Sequence, residues 1–175
     1  MRAVTGLLDV QPFAGALEAV ERILNREPEP DEALRQVVAA LHDRVEHYTW
    51  VGLYFVDEGG LALGPWKGDA GRPEHTRLPL AAGAIGRAVD ERHTVVVLDD
   101  PGIGDGDPPL PSLRAEIDVP VLYDGRPVAV IGISSSRLTP FGRADEACLE
   151  RVARLVSAHC LVGWDTDGIP WSEVS

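Results

Sequence analysis

Apolar residues recur along this chain with two periods, and each period predicts a different kind of element. From Gln11 to Glu27, Phe13, Leu17, Val20 and Leu24 return every three or four residues, which places them on one face of a helix. The stretch Glu27-Pro28-Glu29-Pro30 ends that helix, because proline lacks a donor and biases the residue before it away from helical angles. Asp31 is then expected as the N-cap of a second helix, with Leu34, Val37, Val38, Leu41 and Val45 on its buried face. A third stripe, Leu149, Val152, Leu155 and Val156, predicts a last helix from about Arg143 to Val162. Asp145 and Glu146 in its first turn suit the positive end of the helix dipole.

Between these helices the apolar runs are strand-sized. Thr49 to Val56 (TWVGLYFV) predicts a buried strand, Asp57-Glu58-Gly59-Gly60 a turn, and Leu61 to Trp66 the returning strand. Thr76 to Leu80 is a third strand, Gly83 to Glu91 a short helix, and Thr94 to Asp99 a fourth strand. Residues 67–75 and 100–112 read as loops, the second because glycine, proline and aspartate dominate it. The last two strands flank Asp124-Gly125 in VPVLYDGRPVAVIGISSS, a hairpin whose type I′ turn needs two residues at positive φ. The order α-α-β-β-β-α-β-β-β-α predicts an α+β domain, a mainly antiparallel sheet flanked by terminal helices. The expected organisation is an N-terminal helix (1–30), the domain proper (31–163) and a tail (164–175) carrying Trp164 and Trp171.

At 175 residues, one domain is expected, large enough to bury a core without metal or disulfide staples. The longest apolar runs fall far short of the roughly 20 residues of a membrane helix. The first residues, MRAVTGLLDVQPF, lack a signal-peptide pattern, so a cytoplasmic location is expected. The formal net charge of −12, with arginines scattered rather than clustered, repels phosphate backbones and anionic lipid. Neither nucleic acid nor membrane is therefore expected as a partner. Cys148 and Cys160 lie twelve positions apart on one predicted helix. At about 1.5 Å per residue they stand ~18 Å apart, well beyond the ~7 Å a disulfide spans. They read as small core residues. The five histidines show no metal-ligand spacing, and neither a metal nor a cofactor is expected.

Candidate chemistry is sparse. Gly132-Ile133-Ser134-Ser135-Ser136 departs from the G-x-S-x-G elbow of a serine hydrolase, and no histidine base is placed beside it. Ser134 is left as a ligand hydrogen bond or as strand-end polarity. The segment Gly83-Ala84-Ile85-Gly86 opens a helix whose amides suit an anion, or is simply a tight turn; the lysine and spacing of a P-loop are missing. Trp50, Tyr54 and Trp66 are core residues or pocket walls. Phe141-x-x-x-Asp145-Glu146 matches part of a cyclic-nucleotide motif whose Asn-Lys half is absent, since Asn25 is the only asparagine.

In Trp50-Val51-Gly52-Leu53-Tyr54, the Asp124-Gly125 hairpin and Phe141 followed by Asp145-Glu146, the chain resembles a GAF domain over roughly residues 30–160. Within that superfamily it is similar to the free methionine-(R)-sulfoxide reductases, through TWVGLY, LALGPWKG, RLPLAAGAIGRAV and AEIDVPVLYDGRPVAVIGIS. The resemblance implies a six-stranded sheet and a ligand cavity between the sheet and the segment 83–115. It also implies terminal helices that often build a dimer. The family's three reductase thiols fall near His75, on Ile85 and within Pro108 to Ser112, and none of these is cysteine. Reduction of a sulfoxide by thiol needs a nucleophilic sulfur and a second one to resolve it. Of the family's ammonium-binding carboxylates, Glu116 matches one, while Gly132 and Ser134 stand where aspartates are expected.

A two-residue turn at Asp124-Gly125 would set Glu116 opposite Ile133, facing away from Gly132 and Ser134. Bringing the three together requires a β-bulge, for which Pro120 is the expected place. The function expected is a small-molecule-binding sensory or regulatory domain without thiol reductase activity or catalytic residues. Its ligand would lie among Trp50, Tyr54, Trp66, Glu116 and Ser134. The expected partners are an unidentified small molecule, a second copy through the first and last helices, and a protein that receives the signal. The alternatives are a diverged reductase-like enzyme using Glu116 and Ser134, and a ligand-free dimerisation or interaction module.

Overall fold

The extended segments pair into one sheet, and the helical ones pack on both of its sides. The computed structural model describes residues 11–69, 76–100 and 113–160. Its elements are α1 (Gln11–Arg26), α2 (Pro30–Arg44), β1 (Trp50–Asp57), β2 (Gly60–Gly68), β3 (Arg77–Leu78), α3 (Gly83–Glu91), β4 (Val95–Val97), β5 (Ala115–Tyr123), β6 (Arg126–Ser135) and α4 (Arg143–Cys160). The strands pair antiparallel throughout in the order β3-β2-β1-β6-β5-β4. This is the α+β, six-stranded architecture with terminal helices that the periodicities predict.

Because side chains alternate along a strand, each strand serves two environments. Val51, Leu53 and Phe55 of β1, Ile117, Val119 and Val121 of β5, and Ala129, Ile131 and Ile133 of β6 face α1, α2 and α4. They form the main core with Phe13, Val20, Leu34, Leu41, Leu149 and Val152. The opposite face carries Trp50, Tyr54 and Val130, covered by Ala84 and Ala88 of α3.

Some boundaries differ from expectation: β2 runs on through Lys67 and Gly68, which the sequence reads as loop, because they pair with Val51 and Trp50 of β1. α2 starts at Pro30, with Glu29 as N-cap and Asp31 within the first turn, because a fixed φ suits the first helical position. The edge strands are shorter than predicted: β3 keeps two residues and β4 three. Residues 70–75 and 101–112 of the expected loops, and the tail 164–175, lie outside the described residues.

The start of α4 is tied to the segment before β1. Asp145 accepts the Gly142 N–H (2.9 Å), a capping-box contact, and also bonds the Tyr48 hydroxyl (3.1 Å) and His47 Nε2 (2.6 Å). Phe141 is buried beside the rings of His47 and Tyr48. Packing and capping thus account for the Phe141/Asp145 fragment without any nucleotide.

The β5–β6 hairpin positions the candidate site. Asp124 (φ 52°) and Gly125 (φ 72°) both adopt the left-handed conformation, and Tyr123 pairs with Arg126 and Leu122 with Pro127. The next pair is Val121 with Ala129, so Val128 is an extra residue. The expected bulge is therefore real but sits at Val128; Pro120 pairs regularly with Val130. Its neighbour Pro127 has no donor for the ladder to lose. Beyond the bulge the register advances by one, and Glu116 faces Ser134 while Asp118 faces Gly132.

Candidate functional site

Directly paired residues share a face, so the register assembles the site as rows running across the sheet. One row is Gly68, Trp50, Ser134, Glu116 and Val97. The next is Trp66, Gly52, Gly132, Asp118 and Val95. A third holds Leu63, Tyr54, Val130 and Pro120. All five residues singled out from sequence, Trp50, Tyr54, Trp66, Glu116 and Ser134, therefore lie on the face beneath α3. The other serines do not. Ser135 is buried on the opposite face, and Ser136 is exposed and bonded through its N–H to Thr49 Oγ1 at 3.1 Å.

Glycines set the shape of this face. A Cβ at Gly52 would collide with the six-membered ring of Trp50, so the indole lies along β1 over that glycine. It reaches toward Tyr54, with ring centroids 6.1 Å apart and planes at 42°. A Cβ at Gly132 would stand 3.2 Å from Asp118 Oδ1 and 3.6 Å from Tyr54 Cε2. The missing side chain at 132 is what lets the Asp118 carboxyl lie across β6 toward the tyrosine.

Asp118 is the residue that sequence reading missed. It is 4% exposed, and its Oδ2 is buried with no hydrogen-bond partner. Burial and the adjacent Glu116 hold its carboxyl well above the usual carboxylate range; Arg87 of α3 pulls the other way. Burial, then Asp118 and Glu116, push the Tyr54 hydroxyl up in turn, which places both carboxyls in its surroundings. A second orphan lies on the same face: Trp50 Nε1, on a side chain only 5% exposed, also has no partner. The sequence did hold a signal. Glu116-Ile117-Asp118 sets two acids two apart in an otherwise apolar strand, and a period of two puts them on one face.

Cys148, the cysteine whose side chain is described, lies elsewhere. Ile85, at one of the positions where the resemblance expects a thiol, packs against the Trp50–Tyr54 cluster; the other two positions fall outside the described residues. Cys148 is buried in the main core on the far side of the sheet. Burial and then Asp145 push its thiol up to about 11. Among the described residues no group of three or more His, Cys, Asp or Glu side chains is arranged to hold a metal, and no helix is long and apolar enough to cross a membrane.

The GAF domain family profile matches residues 27–159, from the end of α1 through α4. The chain belongs to the GAF domain family. This GAF domain is 29% identical over 148 residues to GAF domain-containing protein A of Dictyostelium discoideum, covering 83% of this chain and 90% of that one. It is 28% identical over 120 residues to the free methionine-R-sulfoxide reductase of Escherichia coli, covering 68% and 70%. A free methionine-R-sulfoxide reductase from Neisseria meningitidis, solved with its substrate, superposes with a TM-score of 0.77 at 27% identity, over 91% of this chain and 93% of that one. The GAF fold and the reductase likeness expected from sequence both hold.

Proposed function

We propose that this GAF domain binds a small molecule on the sheet face beneath α3 and serves a sensory or regulatory role without thiol-dependent sulfoxide reduction. The observation that carries this reading is the pair of orphaned polar atoms, Trp50 Nε1 and Asp118 Oδ2, buried on one face. Buried polar groups are partnered in the great majority of cases, so a donor and an acceptor left over together argue for a guest that completes them. Trp50, Tyr54 and Trp66 would supply apolar walls, and Glu116 and Ser134 further polar contacts. The argument against reductase chemistry is the apolar Ile85 and the location of Cys148 behind the sheet.

The test is direct. Purified full-length protein is screened by thermal shift against a panel of metabolites, and hits are measured by calorimetry. It is assayed in parallel with free methionine-R-sulfoxide and excess dithiothreitol. Saturable one-to-one binding that Trp50→Ala abolishes, without sulfoxide turnover, is the expected outcome. Sustained thiol-dependent turnover would overturn the regulatory reading, and a panel in which nothing binds would overturn the ligand site.

A further inference from the structure

A short edge strand leaves a gap beside its neighbour. β4 pairs only Val95, Val96 and Val97 with β5, so beyond Asp118 the outer edge of β5 has no strand alongside it. The residues entering β4 and the middle of α4 flank that stretch instead. Between them lies a pocket of about 290 Å³, just under the roughly 300–1,000 Å³ typical of ligand sites. Buried Val119 and Pro120 of β5 and Ala153 of α4 give it an apolar lining.

Its charged groups come from both flanks. Arg92 ends α3 and Arg154 lies on α4, and neither has an ion pair among the described residues. The other two titratable side chains on the pocket are already engaged. His93 Nε2 meets Glu91 at 2.9 Å, and Glu150 accepts the Thr94 hydroxyl at 2.8 Å. Arg92 is unusual in a second way. It closes its helix in the left-handed conformation, φ 58° and ψ 32°, where glycine is the common residue because a Cβ is strained. A long cationic side chain kept at a strained position in a pocket wall points to a use for that side chain.

We infer that this pocket is a second binding site, for a small organic acid whose anionic head lies between Arg92 and Arg154 and whose apolar body rests on Val119, Pro120 and Ala153. A guanidinium presents a planar fork of donors that matches a carboxylate or a phosphate head. The opposing carboxylate, Glu150, is outnumbered and has an oxygen committed to Thr94. An organic cation would meet two unpaired guanidiniums, and a neutral guest would leave both without a counter-charge. Inorganic phosphate would satisfy the arginines and leave the apolar lining without a partner. The site is distinct from the face beneath α3, since it lies past the end of that helix and is shared with α4 on the other side of the sheet. An acid seated there would bridge the α3–β4 junction to α4, which Thr94 and Glu150 already join by one hydrogen bond.

The experiment is calorimetry on the full-length protein with benzoate and phenyl phosphate as probes, each an anionic head on one ring. Benzamide and benzylamine, which keep the ring and lose the negative charge, are controls, as is inorganic phosphate, which lacks the ring. Expected is one-to-one binding of at least one ringed anion, weakened by added sodium chloride, with no binding of the controls. Whichever probe binds tighter identifies the head as carboxylate or phosphate. Arg154→Gln should weaken that binding about tenfold or more, the scale of one hydrogen bond to a charged group. Arg92→Gly should weaken it as much yet melt no lower than the native protein, because glycine relieves the strained φ. Glu150→Gln, which still accepts from Thr94 and loses the opposing charge, should tighten it. Arg126→Gln, which removes an exposed arginine outside the pocket, should leave it unchanged and so separates the site from overall charge. Equal binding of benzamide or inorganic phosphate overturns the inference. So does unchanged affinity in both pocket-arginine variants, an equal loss in Arg126→Gln, or a titration in which neither ringed anion binds.

Discussion

Asp118 is where stability and site chemistry pull apart, and its titration makes that conflict measurable. Its carboxyl is raised in the folded chain from an ordinary value of 3.8. Between 3.8 and the raised value the folded protein holds a proton that the unfolded chain has released. The stabilising contribution is therefore fully present below pH 3.8 and is lost as pH rises through the folded value. Asn at this position keeps the shape and removes the titration. The melting temperature of Asp118→Asn should thus gain on the native protein as pH goes from 5 to 8; a gap independent of pH would mean that Asp118 is not held in its neutral form. Residues such as this one are hard to read from sequence. The strand pattern of EIDVPV shows two acids on one face, but whether that face is open or covered depends on α3, which lies nearly thirty residues upstream. Trp50 and Tyr54 were singled out through the family resemblance, and their rings share one face of β1, where they need space. Gly52 and Gly132 provide it, one under the indole and the other under the Asp118 carboxyl.

At the scale of the element, the hairpin decides what the site contains, and local chemistry decides the hairpin. Asp124-Gly125 was legible because few dipeptides tolerate two positive φ angles in succession. A Cβ at Gly125 would meet nothing within 4 Å, so Gly125→Ala tests backbone strain alone. With φ at 72° it should lower stability by roughly 1–2 kcal/mol, or about 2–8 °C in melting temperature, without altering the fold. A larger loss, or a change in ligand-site spectroscopy, would show that the turn does more than close the hairpin. The bulge at Val128 was less legible. A bulge is set by pairing across strands, and the sequence of one strand carries only a hint of it in Pro127. The same limit explains the short edges: β3 and β4 end where their partners stop pairing, after Leu61–Leu78 and Ala62–Arg77 on one side and Val95 to Val97 on the other. Helix α3 matched its sequence reading residue for residue, since Gly83 and Arg92, both at positive φ, bracket a pattern that local periodicity already marks.

For the molecule as a whole, the sheet acts as a wall between Cys148 and the candidate ligand face. Cys148 lies in the core among α1, α2 and α4, while Trp50, Tyr54, Glu116 and Asp118 lie under α3, with the backbone of β1, β6 and β5 between them. A thiol pushed up to about 11 is ionised in roughly one molecule in ten thousand at pH 7, and the thiolate is the form that attacks. Charge and position therefore act together: the sulfur is protonated, and it is on the wrong side. The consequence is kinetic. In a Cys160→Ser background, Cys148 should resist a water-soluble aromatic disulfide reagent under native conditions, and the modification rate should become independent of reagent concentration once it is limited by opening of the fold. In denaturant the same thiol should react at once. Fast native modification at pH 7 would mean that α4 opens easily or that the sulfur has a path to solvent, and a thiol-based activity would then have a residue to use. Slow modification together with ligand binding beneath α3 would place recognition on one side of the sheet and an inert Cys148 on the other, the arrangement a domain needs if it is to hold its guest without transforming it.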